Sequence, residues 1–527
     1  MPEHKVATTH ELQDGETKLV ELGETKILLL KLDGKFHAVG GECPHVGGDL
    51  SEGTICDGHI RCPWHHARFN GKTGALEEPL SLDGLPKCKV RIEGSDVIVL
   101  LPEEPPISRP MPMAEFDPDA DERVFVIVGG GAAGSAAAES LRQNAFHGRI
   151  VIVNADKNIP YDRTELSKFY LKKKGTESKP PALRSVEFYE EHGIELQTGR
   201  RVAEVDPEGH GITLEDGTEM QCDACLLAPG SIPRVLPIAG SDKNNVFTLR
   251  NVADADAIRA AIENSENAVI IGASFIGMET AAILSSRELD VTVVAPESVP
   301  FENTLGPETG KLFQELHENK GVDFRLGHTV DHFEGQNAVS AAVLDNEEKI
   351  PADLVITGIG VKPATEWLDT IELDEDGGVG VDENMRISGD LYAAGDVARF
   401  PNPVTRDPVR IEHWRVALQT GRIAGANMAG EQKIYSDVPF FWTMQYFKSV
   451  RYVGHATDWD EIVVDGSMED HDFIAYYVSE NSVKAALAWE RDQQMDAFAE
   501  LMRAGRTPSP EDVRSGGLDL VQMLAQT

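Results

Sequence analysis

Two glycine-rich segments, about 140 residues apart, constrain the fold of this 527-residue chain more than any other feature. Each follows an apolar run of strand length and precedes an Ala-rich stretch typical of a helix. In this context the first residue allows a tight turn, the second lets a pyrophosphate approach the backbone, and the third lets helix and strand pack closely. The residues at these positions are Gly129, Gly131 and Gly134, then Gly272, Ser274 and Gly277. The sequence therefore predicts two Rossmann-like α/β nucleotide-binding domains.

An acidic residue follows the second strand of the first unit. This strand, 149–153, is followed by Asn154, Ala155 and Asp156. A carboxylate at about this distance from the glycine motif binds ribose hydroxyls. Asp156 is therefore a candidate ribose ligand.

Two short loops near the N-terminus each combine one thiol with one imidazole: Cys43-Pro-His45 and Cys62-Pro-Trp-His65. Such a set suits a Rieske [2Fe–2S] centre, in which two Cys hold one iron and two His hold the other. The alternative is a zinc site, but those sites usually run in the order Cys, Cys, His, His. We expect the neighbouring His59 and His66 to be surface residues.

The loops resemble those of the Rieske family but differ from its respiratory members. Gly48 and Trp64 stand where respiratory proteins carry a disulfide, and Ala67 and Phe69 stand where they carry a Ser and a Tyr that donate hydrogen bonds to the cluster. Fewer hydrogen bonds to the sulfurs stabilise the reduced cluster less. We expect a ferredoxin-type cluster toward the low end of the Rieske range, about −150 mV.

Composition limits the class of protein. A formal net charge of −39 argues against nucleic acid or anionic membrane as a partner, and it fits either a solvated acidic surface or a salt-adapted source. No apolar run reaches the length of about 18 residues that a membrane span needs. Six cysteines do not make a disulfide framework in so long a chain, and the N-terminus lacks a secretory signal. We expect a cytoplasmic location.

The N-terminal third of the chain divides at a proline-rich stretch. Residues 1–101 read as short β segments separated by turn signals, which predicts a small all-β Rieske domain. Residues 102–121 are rich in Pro and acid and predict a semi-rigid linker.

From residue 121 to about residue 503 the chain resembles the flavoprotein pyridine-nucleotide-disulfide oxidoreductase superfamily. Four segments support this: Pro160–Lys168, Asp223–Arg234, Leu391–Asp396 and Arg410–Trp414. The chain is most similar to ferredoxin reductases of oxygenase systems and, with its N-terminal module, to the Rieske-containing, apoptosis-inducing-factor-3-like subgroup. The resemblance implies an FAD-binding domain at 122–250 and 375–437, an NAD-binding domain at 251–374, and a C-terminal α+β domain of reductase or dimerisation type at 438–527.

The resemblance also assigns flavin contacts. It implies that Arg163 binds the FAD pyrophosphate, that Lys168 lies beside flavin N5, and that Asp396 bonds the ribityl chain. Further FAD contacts implied are Val202, Arg250, His413 and Trp414.

A second set would bind the nicotinamide nucleotide: Gly272, Ser274, Gly277, Glu279, Glu297, Gly360, Glu412 and Trp442. Glu279 would orient the carboxamide near Lys168, and Trp442 would form a wall of the pocket. Because a carboxylate repels a 2′-phosphate, Glu297 favours NADH over NADPH. Lys168, Glu279, Glu412 and Trp442 are the candidate catalytic residues.

These inferences predict an NADH-dependent reductase that passes electrons through FAD to its own [2Fe–2S] cluster and on to an unidentified acceptor. The acceptor could be a ferredoxin, an oxygenase or a small molecule, and the chain a monomer or homodimer. Two alternatives remain open: a reductase that serves a separate ferredoxin, and an apoptosis-inducing-factor-like redox sensor with slow NADH oxidase activity. Cys222 and Cys225 form a C-x-x-C motif at the start of an apolar strand, which favours a structural role over a thioredoxin-like one.

Overall fold

Two antiparallel sheets at the N-terminus hold both Cys–His loops. The structure is a computed structural model that describes residues 2–175, 179–208 and 210–526. The first ten strands are β1 (Glu3–Thr8), β2 (Thr17–Leu22), β3 (Thr25–Leu32), β4 (Lys35–Gly40), β5 (Thr54–Cys56), β6 (His59–Arg61), β7 (Arg68–Asn70), β8 (Leu76–Glu78), β9 (Lys87–Glu93) and β10 (Asp96–Leu100). One sheet has the order β1-β10-β9-β4-β3-β2, and the other has the order β5-β6-β7-β8. One Cys–His loop precedes β5 and the other joins β6 to β7.

A parallel sheet follows, built on the apolar run that precedes the first glycine motif. Its region contains β11 (Val124–Val128), α1 (Ala132–Gln143), β12 (Arg149–Asn154), α2 (Phe169–Lys172), α3 (Val186–Glu191), β13 (Ile194–Thr198), β14 (Val202–Val205), β15 (Gly211–Leu214), β16 (Glu219–Gln221), β17 (Ala224–Leu227) and β18 (Ser231–Pro233). The strand β11 is almost wholly buried because helices or other strands cover both faces of the sheet.

The second glycine motif lies in another parallel sheet. Its region contains β19 (Val246–Thr248), α4 (Val252–Ile262), β20 (Asn267–Ile271), α5 (Phe275–Ser286), β21 (Asp290–Ala295), α6 (Glu302–Leu305), α7 (Pro307–Glu318), β22 (Val322–Leu326), β23 (Val330–Glu334), β24 (Ala341–Leu344), β25 (Lys349–Pro351), β26 (Leu354–Thr357) and β27 (Val361–Pro363). The sheet order is β19-β26-β20-β21-β22.

The chain then returns to the first parallel sheet. The returning elements are β28 (Val379–Gly380), β29 (Arg386–Ser388), β30 (Leu391–Ala393), β31 (Ala398–Pro401), β32 (Pro408–Arg410) and α8 (Trp414–Met428). Strand β30 pairs in parallel with β17, which gives the order β13-β12-β11-β17-β30-β29. Helix α8 packs closely on α1, since a Cβ added at Gly421 would lie 2.2 Å from the Ala133 carbonyl oxygen.

The C-terminal region packs helices on an antiparallel sheet. Its elements are β33 (Phe440–Gln445), β34 (Lys448–Gly454), β35 (Glu461–Ser467), β36 (Asp472–Ser479), β37 (Ser482–Trp489), α9 (Asp492–Arg503), α10 (Pro510–Ser515) and α11 (Leu520–Ala525). The sheet order is β33-β34-β37-β36-β35. Met495, Phe498 and Leu501 on α9 are completely buried. The fold class predicted from the sequence, an all-β region followed by two α/β regions and an α+β region, is confirmed.

The segment 102–121 is fixed at several points. Arg109 forms a β-bridge with Gly84, and the Ala114 amide donates to the Arg142 carbonyl at 2.8 Å. The segment therefore attaches the N-terminal sheets to the first α/β region. Within the described part of the chain, none of the helices combines the length and the apolarity needed to cross a bilayer.

Candidate functional site

The two Cys–His loops fold as matching turns. The Gly47 amide donates to the Cys43 carbonyl at 2.9 Å, and the His66 amide donates to the Cys62 carbonyl at 3.0 Å. Cys43 and Cys62 are 2 % and 1 % exposed, and their thiols hydrogen-bond to each other. The turns therefore bring the two sulfurs together.

The two imidazoles form a second pair. His45 Nδ1 lies 3.2 Å from His65 Nδ1, and burial lowers the pKa of both rings, which favours the neutral form that binds metal. In the part of the chain that the structure describes, no three or more His, Cys, Asp or Glu side chains form a site for a single metal ion. One thiol pair beside one imidazole pair fits a binuclear [2Fe–2S] cluster better than a four-coordinate zinc ion.

The expectation that His66 is a surface residue is wrong. His66 occupies the same turn position as Gly47 and adopts a left-handed φ of 58°, and its side chain is completely buried. Its ring stacks on Phe440 at 3.8 Å, and its Nε2 lies 3.0 Å from an oxygen of Asp496. His59, by contrast, is half-buried.

A buried group of ion pairs joins the Rieske-type loops to the rest of the chain. Arg61 Nε donates to Glu500 at 2.7 Å, and its Nη2 lies 3.4 Å from Asp437. Arg415 forms an ion pair with Asp437 and donates to the His66 carbonyl at 3.2 Å. Both guanidiniums are at most 2 % exposed. Sequence reasoning missed this group because its members lie up to 439 residues apart.

The first glycine motif leaves space for phosphate. Gly129 and Gly131 lie in the turn between β11 and α1, Gly131 is the N-cap of α1, and Gly134 lies in the first turn of that helix. A Cβ added at Gly131 would meet no atom within 4 Å, so open space lies in front of the helix N-terminus. This arrangement fits the pyrophosphate of FAD.

Two of the residues predicted to contact flavin, Arg163 and Arg250, lie close to a third, Asp396. Its carboxylate accepts hydrogen bonds from Arg250 Nη2 at 2.7 Å and from Ser231 Oγ at 3.0 Å. Arg163 donates to the Arg250 carbonyl at 3.3 Å. These residues therefore form one connected polar group.

The two residues expected near the adenosine half of FAD are Val202 and Asp156. Val202 is buried at the start of β14. Both oxygens of Asp156 already accept hydrogen bonds within the chain, one from Asn158 and one from the Tyr161 hydroxyl at 2.7 Å. A ribose hydroxyl would have to share these oxygens.

Lys168 and Glu279 form a buried ion pair. The Lys168 ammonium lies 2.9 Å from Glu279, whose side chain is 5 % exposed. Glu279 also accepts hydrogen bonds from Ser167 Oγ at 2.6 Å and from Thr443 Oγ1 at 2.9 Å. Thr443 and Ser167 carried no sequence signal.

The remaining nicotinamide candidates line the second α/β region and its border. Gly272, Ser274 and Gly277 form the turn into α5, where Ser274 Oγ donates to the Gly358 carbonyl at 2.9 Å. Gly360 follows β26 with a φ of 91°, and Glu297 is half-buried just beyond β21. Glu412 forms an ion pair with Arg410.

Trp442 lies where the two halves of the site meet. Its ring centroid is 4.5 Å from that of His65 and 5.3 Å from that of His413, the N-cap residue next to Trp414. Burial lowers the pKa of His413 to about 3, so this ring is neutral. Because adjacent strand residues point to opposite faces, β33 presents Trp442 to the Cys–His loops and Thr443 to Glu279.

Comparisons with known proteins agree with this geometry. Residues 123–421 match the model of the pyridine nucleotide-disulphide oxidoreductase family, residues 3–88 match the Rieske [2Fe-2S] domain, and residues 440–524 match the reductase C-terminal domain. The chain is 36% identical to human apoptosis-inducing factor 3, over 97% of this chain and 86% of that protein. It is 34% identical to putidaredoxin reductase CamA of Pseudomonas putida, over 68% of this chain and 87% of that protein. Among solved structures it is similar to the covalent putidaredoxin reductase–putidaredoxin complex, with a TM-score of 0.72 at 30% identity over 77% of this chain and 98% of that one.

Proposed function

This chain belongs to the pyridine nucleotide-disulphide oxidoreductase family and carries a Rieske domain. We therefore propose that its flavin site and its Rieske cluster act as one enzyme, with Trp442 in contact with both. The chain is an FAD-dependent oxidoreductase that takes electrons from NADH and passes them through FAD to its Rieske [2Fe–2S] cluster. When bound, FAD supplies the step between the two-electron donor NADH and the one-electron cluster. The residues of the protein hold these groups in position and set the charge around them.

The buried ion pair positions the nicotinamide. Glu279 is held by Lys168, Ser167 and Thr443, so its carboxylate has a fixed direction. A carboxylate held in this way can accept a hydrogen bond from the carboxamide, and Lys168 remains close enough to balance its charge. Glu297 would favour NADH because it repels the additional phosphate of NADPH.

The cluster ligands in our proposal are Cys43, Cys62, His45 and His65. The contact of Trp442 with both His65 and His413 is the single observation that carries the proposed internal route. Since the aromatic ring fills the space between a cluster ligand and the flavin side of the site, electrons cross packed atoms rather than solvent.

The acceptor beyond the cluster would be a ferredoxin, an oxygenase or a small molecule. None of the six cysteines, all of which lie within the described residues, forms a disulfide, which supports a reducing compartment such as the cytoplasm. The domain boundaries that we propose are 1–101, 102–121, 122–250 with 375–437, 251–374, and 438–527. The oligomeric state that we propose is a monomer or a homodimer.

Rapid mixing with NADH tests the internal route. The protein loaded with FAD and cluster is compared with a Trp442→Leu variant and with Trp459→Leu, a control in the same C-terminal region. Because Trp442 is also a candidate wall of the nicotinamide pocket, cluster reduction is compared with the rate at which the same protein reduces flavin. We expect only Trp442→Leu to reduce the cluster slowly relative to its own flavin reduction. Equal cluster reduction in all three would refute the role of Trp442. A wild-type cluster that stays oxidised over many turnovers would refute the internal route, and the flavin would then serve a separate acceptor.

A further inference from the structure

A cavity of about 340 Å³ lies between the N-terminal sheets and the first α/β region. Its walls come from β8, α1, α8 and the segment 433–437, which lies between α8 and β33. Its volume falls within the range of about 300–1,000 Å³ that small-molecule sites occupy. Neither the nucleotide motifs nor the Cys–His loops contribute to it.

Two basic side chains that line this cavity have few hydrogen-bond partners. In the described parts of the chain, the Arg422 guanidinium has neither an ion pair nor a hydrogen-bond acceptor, although Glu78 influences it electrostatically. The Lys433 ammonium makes one contact, to Asn144 Oδ1 at 3.2 Å. A ligand rich in acceptors would satisfy both groups.

The acidic groups near the cavity are balanced by other partners. Asp437 is bound by Arg415, and Glu139 accepts from Arg184 at 2.8 Å. Burial and the neighbouring Asp437 raise the pKa of Glu78, and its carboxylate accepts a hydrogen bond from Gln419 Nε2 at 2.9 Å. Arg422 and Lys433, which form no ion pair among the described residues, are the cations that remain open to an anionic ligand.

Apolar side chains form part of the wall, namely Leu76, Met111, Ile423 and Ile434. We propose that this cavity is a binding site for a small organic carboxylate with an aliphatic body, whose carboxylate pairs with Arg422 and Lys433. Arg forms bidentate pairs with carboxylates, and Lys adds a point charge at the rim.

The position of the site gives its occupant a structural effect. Gln419 Nε2 donates both to Glu78 on β8 and to Asp437, at 2.9 Å each, so the cavity wall is continuous with the buried ion pairs around Arg415. A carboxylate bound there contacts the N-terminal sheets and α8 at once. Its binding therefore raises the temperature at which the loaded protein unfolds.

Calorimetric titration of the protein loaded with FAD and cluster tests the proposal, with sodium hexanoate as the probe. Its neutral matched control is 1-hexanol, which has the same chain without the charge. We expect hexanoate to bind at one site per chain and to raise the unfolding temperature. Arg422→Met should weaken binding at least about tenfold, which corresponds to about 1.4 kcal/mol, and Arg422→Lys should recover part of the affinity.

Two further variants complete the design. Lys433→Met changes an exposed side chain and should also weaken binding, whereas Arg201→Met, at an exposed residue that does not line the cavity, should not. The proposal is overturned if hexanoate binds no better than 1-hexanol, or if Arg422→Met and Lys433→Met bind as the wild type does. Binding of inorganic phosphate in place of hexanoate would overturn the assignment to carboxylates.

Discussion

The buried ion pairs around Arg61 provide the sharpest test of how the Rieske domain is attached. Arg61 is 2 % exposed and contacts Glu500 and Asp437, whose side chains are 1 % and 5 % exposed. Replacing it with Met keeps an aliphatic chain of similar length but removes the charge from both pairs. We expect Arg61→Met to destabilise the docked Rieske domain.

The size of this effect depends on which ion pairs the two carboxylates keep in the variant. Removing one partner of a buried ion pair costs about 3–5 kcal/mol. Glu500 keeps Arg503 at 2.7 Å, and Asp437 keeps Arg415, so neither acid is left without a cation. The loss should therefore lie near the lower limit, about 3 kcal/mol.

Urea unfolding of the loaded protein, followed by the visible circular dichroism of the cluster, measures this loss. With a slope of about 2 kcal/mol per M, the midpoint for loss of the cluster signal should fall by about 1.5 M. Arg91→Met is the matched control in the same domain, because Arg91 forms an exposed pair with Glu3 and should cost at most about 1 kcal/mol. A midpoint for Arg61→Met equal to that of Arg91→Met would refute the reasoning.

Three other changes test the site and its surroundings. Glu279→Gln removes the charge that Lys168 balances and should slow flavin reduction by NADH about 10- to 100-fold, as measured by stopped-flow absorbance with unchanged flavin content. Glu297→Arg should raise kcat/KM for NADPH relative to NADH, and an unchanged ratio in steady-state assays would contradict the role of Glu297. Burial lowers the pKa of His317 to about 4, below its ordinary 6.5. As the pH decreases, the unfolded chain therefore binds the proton before the folded protein does. The free energy of unfolding should fall by up to about 3 kcal/mol between pH 6.5 and pH 4. Urea midpoints across this range should fall less steeply for His317→Gln, and parallel profiles would contradict the role of His317.

The sequence predicted the parts of this molecule that depend on local patterns. The turn from β11 into α1 follows from an apolar run and three glycines, and the Cys43 and Cys62 loops follow from ligand types at short spacing. These features are contained within a few residues, so no knowledge of tertiary contacts is needed to recognise them. The fold class follows from these patterns together with the family resemblance of the C-terminal region, and it is confirmed.

The features that the sequence did not predict arise from contacts between distant segments. His66 resembles a surface residue until the loop is placed against Phe440. Arg61 and Glu500 carry charges typical of exposed residues, and only the docking of α9 on the N-terminal sheets buries them. Asp156 has the spacing of a ribose ligand, but the Tyr161 hydroxyl also binds it. The only sequence signal for the role of Arg61 is its position, because a charged residue stands in the short strand that leads into the second Cys–His loop.

The attachment of the Rieske domain also changes the kind of kinetics that its reduction can follow. A free ferredoxin must meet its reductase by diffusion, and dissolved salt screens the charges that guide the encounter. Here the peptide link and the buried ion pairs hold the Rieske domain in permanent contact with the rest of the enzyme, so no collision is needed. Reduction of the cluster is then a first-order event, whose rate stays the same when the enzyme is diluted and when the ionic strength rises.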